Sequence, residues 1–345
     1  MEEELETGQG DASAAPSGQA EPIQVVELEH LSSDGVTTLR GKLWTSPAYG
    51  AALGEGPETP RALVQLTHGM AEYIARYDAF ARFLAERGFV VFGQDMLGHG
   101  DSCPDADKLG CLPAQGGADI LVSDMHSLRQ LVQARFPGVP LVMYGHSMGS
   151  FMLRCYLGEH ADGVACAVLS GTGNVAPATC KAGLFLARRI AKSKGADYRS
   201  SFLDGMGAGG YGKKIPDART PLDWLSTDDA VVDAYIADER CGFMFSAGGY
   251  VTLITLTQRC SDPAFSEKYP LDLPLFFVAG DKDPVGECGK GVLAAAEAAR
   301  APRQRYATAA PVDVKLYEGM RHEIHNEKDK QQVWEDLASW MERWV

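Results

Sequence analysis

Apolar and polar positions along this chain follow two rhythms. From Ile23 to Leu31 and from Thr37 to Trp44 they suit two strands, and Ser32-Ser33-Asp34-Gly35 between them has turn chemistry, which predicts an antiparallel hairpin. Further along, short and almost solid apolar runs take over: Ala62 to Leu66, Phe89 to Phe92, Leu141 to Tyr144, Val164 to Leu169, Leu273 to Ala279 and Val312 to Tyr317. Amphipathic stretches separate them. One spans about Arg76 to Arg87, with Phe80, Phe83 and Leu84 on one face and Gly88 as its stop; others cover Ala118 to Phe136, Phe151 to Leu157, Gly291 to Arg300 and Lys328 to Trp344. Solid apolar strands alternating with helices are buried on both faces, so the pattern predicts an α/β fold with a mostly parallel, doubly wound sheet.

The alternation breaks in two places. Residues 1–22 are rich in Glu, Gly, Ala, Ser and Gln with almost no large apolar side chain, and read as a disordered acidic tail. From about Gly171 to Leu256 the strand and helix rhythm stops, and a glycine run from Gly205 to Gly210 and an aromatic cluster at Phe243, Met244 and Phe245 appear. This predicts a core in two parts, 23–172 and 257–345, with a lid (cap) subdomain over 173–256. A loop dense in Gly, Ala and Pro is expected from Tyr49 to Pro60.

Chemistry concentrates where strands end. Leu141 to Tyr144 runs straight into Gly145-His146-Ser147-Met148-Gly149 and then into a helical stretch. A serine on so sharp a turn needs glycines beside it, and the helix that follows aims its free N–H groups at a developing oxyanion. Ser147 is therefore the expected nucleophile. An open parallel sheet gathers its functional groups past the carboxyl ends of its strands. There lie Gly280-Asp281-Lys282-Asp283 and, after the next strand, Glu318-Gly319-Met320-Arg321-His322. The order Ser, Asp, His makes His322 the base and favours Asp283 over Asp281 as the acid, with Asp281 as a loop-turning group. His325 is the competing histidine, about one helical turn away. The N–H of Met148 and that of Met70, in the loop Thr67-His68-Gly69-Met70, are the expected oxyanion donors. His68, Asp95, His99, Asp101, Ser102 and His146 are expected to brace loops or pack.

Composition narrows the rest. The chain has 345 residues, enough for one large core and a small insertion. A net charge of −14 argues against nucleic acid or an anionic membrane surface as a partner through bulk electrostatics. The eight cysteines are scattered, with no Cys-x-x-Cys pair and no zinc-ligand spacing. The first residues, Met1-Glu2-Glu3-Glu4, do not resemble a secretory signal, and no apolar run is long enough to span a bilayer. A reducing, cytoplasmic location follows as an expectation. No dinucleotide fingerprint or Walker loop occurs between a strand and a helix, so no cofactor and no metal are expected.

Taken together, His68-Gly69-Met70-Ala71-Glu72, Arg76-Tyr77, Asp95-Met96-Leu97-Gly98-His99-Gly100-Asp101-Ser102, Gly145-His146-Ser147-Met148-Gly149, Gly280-Asp281-Lys282-Asp283 and Tyr317-Glu318-Gly319-Met320-Arg321-His322 resemble the monoacylglycerol lipase and lysophospholipase group of the α/β-hydrolase superfamily. The resemblance runs from about Ile23 to the C-terminus and is thin in the lid. It implies Ser147, Asp283 and His322 as the triad and the amides of Met70 and Met148 as oxyanion donors. It also implies Glu72, Arg76 and His325 as the group that holds the alcohol part of the ester. Two positions depart from the family pattern: Ser150, where a second Gly is frequent, and Tyr73, where His is frequent. The expected activity is hydrolysis of a monoacylglycerol-like or lysophospholipid-like carboxylic ester through an acyl-enzyme, with transient membrane contact through the lid. Two other readings stand beside it. One is an aminopeptidase of the proline iminopeptidase type, using Asp238-Glu239 to hold the substrate amine; the other is a non-catalytic small-molecule receptor on the same scaffold. The sequence leaves the oligomeric state open.

Overall fold

The computed structural model describes residues 22–50 and 56–345. The expected tail at 1–22 lies outside the described residues but for residue 22, and so does the middle of the 49–60 loop. The sheet has eight strands. They are β1 (Gln24–Leu31), β2 (Thr38–Thr45), β3 (Ala62–Thr67), β4 (Phe89–Gln94), β5 (Leu141–His146), β6 (Val164–Ser170), β7 (Leu275–Gly280) and β8 (Val312–Tyr317). Their order is β1-β2-β4-β3-β5-β6-β7-β8. The β1/β2 and β2/β4 pairs are antiparallel, and β4 through β8 run parallel. β3, β4, β5 and β7 are buried along their whole length, as solid apolar runs require.

The β1/β2 hairpin closes on side-chain chemistry. Asp34 Oδ1 accepts from the N–H of Val36 and of Thr37, each at 2.8 Å, and Gly35 takes φ +81°. One face of the sheet is covered by α1 (Asp78–Ala85) and α11 (Lys330–Met341), whose Phe80, Leu84, Val333, Leu337 and Met341 pack into one apolar layer. The other face carries α2 (Gly117–Gln133), α3 (Met148–Leu157) and α10 (Lys290–Arg300) over a second, larger layer. α1 starts two residues later than the sequence pattern suggests, because Ile74–Tyr77 forms a separate 3-10 turn. Asp78 then anchors the helix by accepting from Trp44 Nε1 and Arg82 Nε, both at 2.8 Å.

Between β6 and β7 lie α4 (Pro177–Lys194), α5 (Ser201–Met206), α6 (Ala208–Tyr211), α7 (Asp229–Ala237), α8 (Ala247–Cys260) and α9 (Pro263–Ser266). The boundary expected at residue 256 falls inside α8, which packs on α2 and α3 and belongs to the layer covering the sheet. Glycines made that helix hard to recognise. Gly248 and Gly249 let it approach the 109–114 loop so closely that a Cβ at either would lie 2.2 Å from Leu112 O or 2.7 Å from Gly110 O. The glycine run at 205–210 is likewise helical. Ser200 caps α5, and a Cβ on Gly210 would lie 2.6 Å from the backbone Gly205 O, so glycine there lets α5 and α6 fold closely against each other.

A buried carboxylate joins the insertion to the core. Glu327, 1 % exposed, accepts from the N–H of Arg321 at 2.8 Å and of Thr227 at 3.0 Å, and from Thr227 Oγ1. Arg321 Nη1 in turn donates to the carbonyls of Asp223 and Ser226. Among the described residues no helix is long and apolar enough to cross a membrane. Replacing Glu327 with Ala leaves buried donors without an acceptor and should cost about 2–3 kcal/mol. Urea unfolding measures the loss, and limited proteolysis should show faster cutting near residue 227 than in the wild type.

Candidate active site

The β5-to-α3 turn holds Ser147 at φ 54°, ψ −120°, a left-handed conformation that a residue with a side chain adopts only under constraint. Two glycines impose it. A Cβ on Gly145 would sit 2.5 Å from Gly149 O, and one on Gly149 would sit 2.3 Å from Thr67 O. β3, β5 and the first turn of α3 therefore meet at backbone contact, which presents the side chain of Ser147 outward from the sheet. No side chain caps α3, and among the described residues the N–H groups of Met148 and Gly149 have no acceptor, whereas that of Ser150 donates to Ser147 O at 2.9 Å. Ser150, where the family pattern often has Gly, is accommodated by its hydroxyl, which donates to Ser147 O at 2.6 Å.

His322 and Asp283 stand on the loops after β8 and β7. Both are buried, and the Nδ1 of His322 lies 2.9 Å from Asp283 Oδ2. The other carboxylate oxygen of Asp283 accepts from Val285 N at 2.9 Å, which fixes its rotamer. Burial alone would push the imidazole pKa of His322 down; the charge and hydrogen bond of Asp283, together with the nearby Glu323 and Glu72, raise it above its ordinary value. Asp281 instead accepts from Gly319 N at 2.8 Å and ties the β7 and β8 loops together. The two loops touch elsewhere: a Cβ on Gly280 would lie 2.1 Å from Met320 O.

Ser147 and His322 line one cavity of 390 Å3, together with Gly69, Met70, Glu72, Met148, Phe151, Tyr235, Phe243, Leu253 and Glu323. Among the described residues the His322 ring is hydrogen-bonded to Asp283 and not to Ser147 Oγ, and catalytic contacts commonly tighten only with substrate bound. The N–H groups of Met70 and Met148 have no hydrogen-bond acceptor among the described residues and flank Ser147 at the cavity wall. The Met70 loop is held in place from several sides. Glu72 Oε1 accepts from Gly69 N at 2.5 Å, Ala71 sits at φ 55°, and Ala71 O accepts from Tyr235 OH at 2.7 Å and from Gly242 N at 2.9 Å. His68 braces the same loop, with Nδ1 on Gly69 O at 2.8 Å and Nε2 accepting from Met96 N at 3.0 Å. Asp95 accepts from Ile74 N and Asp101 N, and burial raises its pKa to about 6. A larger cavity, of 520 Å3, opens at the start of α2 but contains no serine or histidine.

Three residues implied for the alcohol end are placed differently from one another. Glu72 lines the cavity; Arg76 and His325 do not. Arg76 stands behind the wall, between Glu72 and Glu323. His325 is fully buried, stacked on Tyr77 at 4.6 Å and against His146 at 4.8 Å, and neither of its ring nitrogens has a hydrogen-bond partner among the described residues. Burial lowers its pKa to about 3, so the ring is neutral packing against His146, which also touches His322 at 4.6 Å. Glu323 also lines the cavity, and nothing in the sequence pattern marks it as a site residue beyond its adjacency to His322. Of the aromatic cluster, Phe243 lines the cavity while Phe245 is core. Asp238 is engaged by Tyr73 OH and by Arg240, and neither it nor Glu239 lines the cavity. Tyr73, at the position where the family often has His, thus serves this clamp. Among the described residues no group of three or more His, Cys, Asp or Glu is arranged to hold a metal ion.

Residues 58–329 match the sequence model of a family described as serine aminopeptidase, S33 (Hydrolase_4). A monoacylglycerol lipase of Mycolicibacterium smegmatis is 29% identical over 288 residues, 83% of this chain and 90% of that protein. The rat monoglyceride lipase is 35% identical over a shorter stretch of 91 residues, 26% of this chain and 28% of that protein. Among solved structures, a thermostable carboxyl esterase from Bacillus coagulans in complex with glycerol superposes with a TM-score of 0.82 at 29% identity, covering 93% of this chain and 98% of the esterase.

The glycine contacts make a sharp prediction. Gly149→Ala forces its methyl into the carbonyls of Thr67 and His68 and should destabilise the fold by about 1–3 kcal/mol, read as a lower urea midpoint, with Ser147 no longer labelled by a fluorophosphonate. A variant that keeps both stability and labelling would show that the turn is looser than described.

Proposed function

The chain belongs to the serine aminopeptidase S33 (Hydrolase_4) family, and from that premise we propose that it hydrolyses carboxylic esters of a fatty acyl group, monoacylglycerol-like or lysophospholipid-like, through an acyl-enzyme on Ser147. The observation that carries the reading is the buried His322–Asp283 pair at 2.9 Å, lining the same cavity as a serine on a constrained turn. Asp283 accepts from Nδ1–H and leaves Nε2 bare, so the ring can take the proton of Ser147 as its oxygen attacks the carbonyl. The carbonyl oxygen becomes an oxyanion held by the N–H groups of Met70 and Met148. His322 then gives its proton to the departing alcohol, and a water activated by the same ring releases the acid.

The apolar part of the cavity, with Phe151, Phe243 and Leu253, supports an acyl pocket. The family's description names a peptidase, whereas the relatives given above are named lipases and an esterase. Ester hydrolysis is favoured further by Asp238, whose carboxylate is taken up by Tyr73 and Arg240 and is not free to hold a substrate amine. The same reading takes α4 to α7 as a lid. Phe185, Phe202 and Met206, between 55% and 63% exposed, are the groups on it that a lipid surface would meet. Eight free thiols are consistent with a reducing, cytoplasmic setting.

Ser147→Ala should lower kcat/KM on a monoacylglycerol by at least about 10^4-fold while the fold is kept. Activity that survived would rule out the acyl-enzyme. Because only the neutral ring accepts a proton and the pKa of His322 is raised, kcat/KM should fall with acidification through a midpoint above 6.5. A profile flat between about pH 5 and 8 would contradict this. An aminoacyl arylamide should be cleaved far more slowly than a monoacylglycerol; the reverse order would favour the peptidase reading.

A further inference from the structure

The cavity has two chemically different sides. Phe151, Phe243 and Leu253 make an apolar one, and Glu72 and Glu323, each 2 % exposed, line another. Arg76 lies behind these two acids and is engaged by both. Its Nη1 donates to Glu72 Oε2 at 2.6 Å and to Glu323 Oε1 at 2.8 Å, and its Nη2 donates to Glu323 Oε2 at 2.7 Å. One face of the guanidinium is covered by the Tyr235 ring at 4.7 Å. An arginine beside an ester site would ordinarily be ready to take a phosphate in its planar fork. Here Glu323 already fills that fork, in a two-point pairing. Two carboxyl groups share one guanidinium, so the wall next to His322 keeps no cation free to receive a phosphate and carries the Glu323 carboxylate in its place.

The position of this wall decides which part of a substrate meets it. The departing alcohol has to sit against the ring that protonates it, and Glu323 directly follows His322, its N–H fixed to Leu225 O at 2.7 Å. Building on the ester-hydrolase reading above, we propose that Glu323 is a specificity-determining residue: paired to Arg76, it makes the alcohol end of the site accept uncharged polyol esters and exclude esters whose alcohol carries a phosphate. Glu72 Oε1 and Glu323 Oε2 already accept twice, from Gly69 N and Tyr77 OH and from Arg76 Nη2 and Asn326 Nδ2, whereas Glu72 Oε2 and Glu323 Oε1 accept only from Arg76 and each keep a lone pair to which a substrate hydroxyl can donate. A phosphate oxygen offers only acceptors and a like charge, in a buried site where repulsion is poorly screened.

The test is a pair of substrates that differ in the phosphate alone, 1-decanoylglycerol and 1-decanoylglycerol 3-phosphate, both kept below their micellar concentrations. The wild type should prefer the first by about 100-fold or more in kcat/KM, and Glu323→Gln should narrow that ratio by about 10-fold, with active sites counted by fluorophosphonate titration. Equal rates in the wild type, or an unchanged ratio in a folded Glu323→Gln protein, overturn the proposal. As a readout that needs no variant, free glycerol should slow fluorophosphonate labelling of the wild type, while glycerol 3-phosphate at the same concentration should not. Equal protection by the two, or none by either, also counts against it. Failure to cleave either ester would be a different result, since it would remove the ester-hydrolase reading itself.

Discussion

A single backbone turn that side chains normally avoid governs the rest of the molecule. Ser147 holds φ 54° because β5 enters the turn, α3 leaves it, and β3 passes within backbone contact of both. Such a conformation costs about 1–3 kcal/mol and persists only where its surroundings over-determine it. Those surroundings are the most buried strands of the sheet. The core therefore does more than fold the chain: its packing energy maintains the geometry that leaves the serine side chain and the first N–H groups of α3 facing one space.

A second turn is constrained from the opposite direction. Ala71, also at positive φ, is held by Tyr235 and Gly242 from the insertion, and the segment at His322 is held by the backbone of Trp224 and Leu225. Glu327 fastens the same stretch at Thr227. The insertion thus does more than cover the cavity. It sets the position of the Met70 amide and of the His322 ring, so a rearrangement of residues 222–242 would be felt at both.

Charge inside the site is arranged by burial and pairing. The His322 ring is raised chiefly by Asp283 against the pull of desolvation, while His68, His146 and His325 have no carboxylate bonded to them and are pushed toward the neutral form by burial. Among these four buried rings only one is therefore poised to change charge near neutral pH. Glu72 and Glu323 divide one guanidinium unequally: Arg76 holds Glu323 below the usual carboxylate range despite its burial, whereas burial and the neighbouring acid leave Glu72 above it.

Much of this was legible in the sequence, for a local reason. Solid apolar strands, the glycines around Ser147, and acids and histidines just past strand ends are one-dimensional signals of a parallel sheet with a site at its carboxyl edge. Ser147, Asp283 and His322 could be put forward as candidates from their places in that pattern. The helices of the insertion could not, because their glycines at 205–210 and 248–249 answer to contacts with residues far along the chain. Nor could the sequence separate Glu72, which reaches the cavity, from Arg76 and His325, which stand behind it, or reveal Glu323 at all. Which side of a wall a buried group faces, and how two acids divide a shared arginine, depends on packing between segments more than 200 residues apart. Chain order fixed the candidates; tertiary contact alone decided what each of them touches.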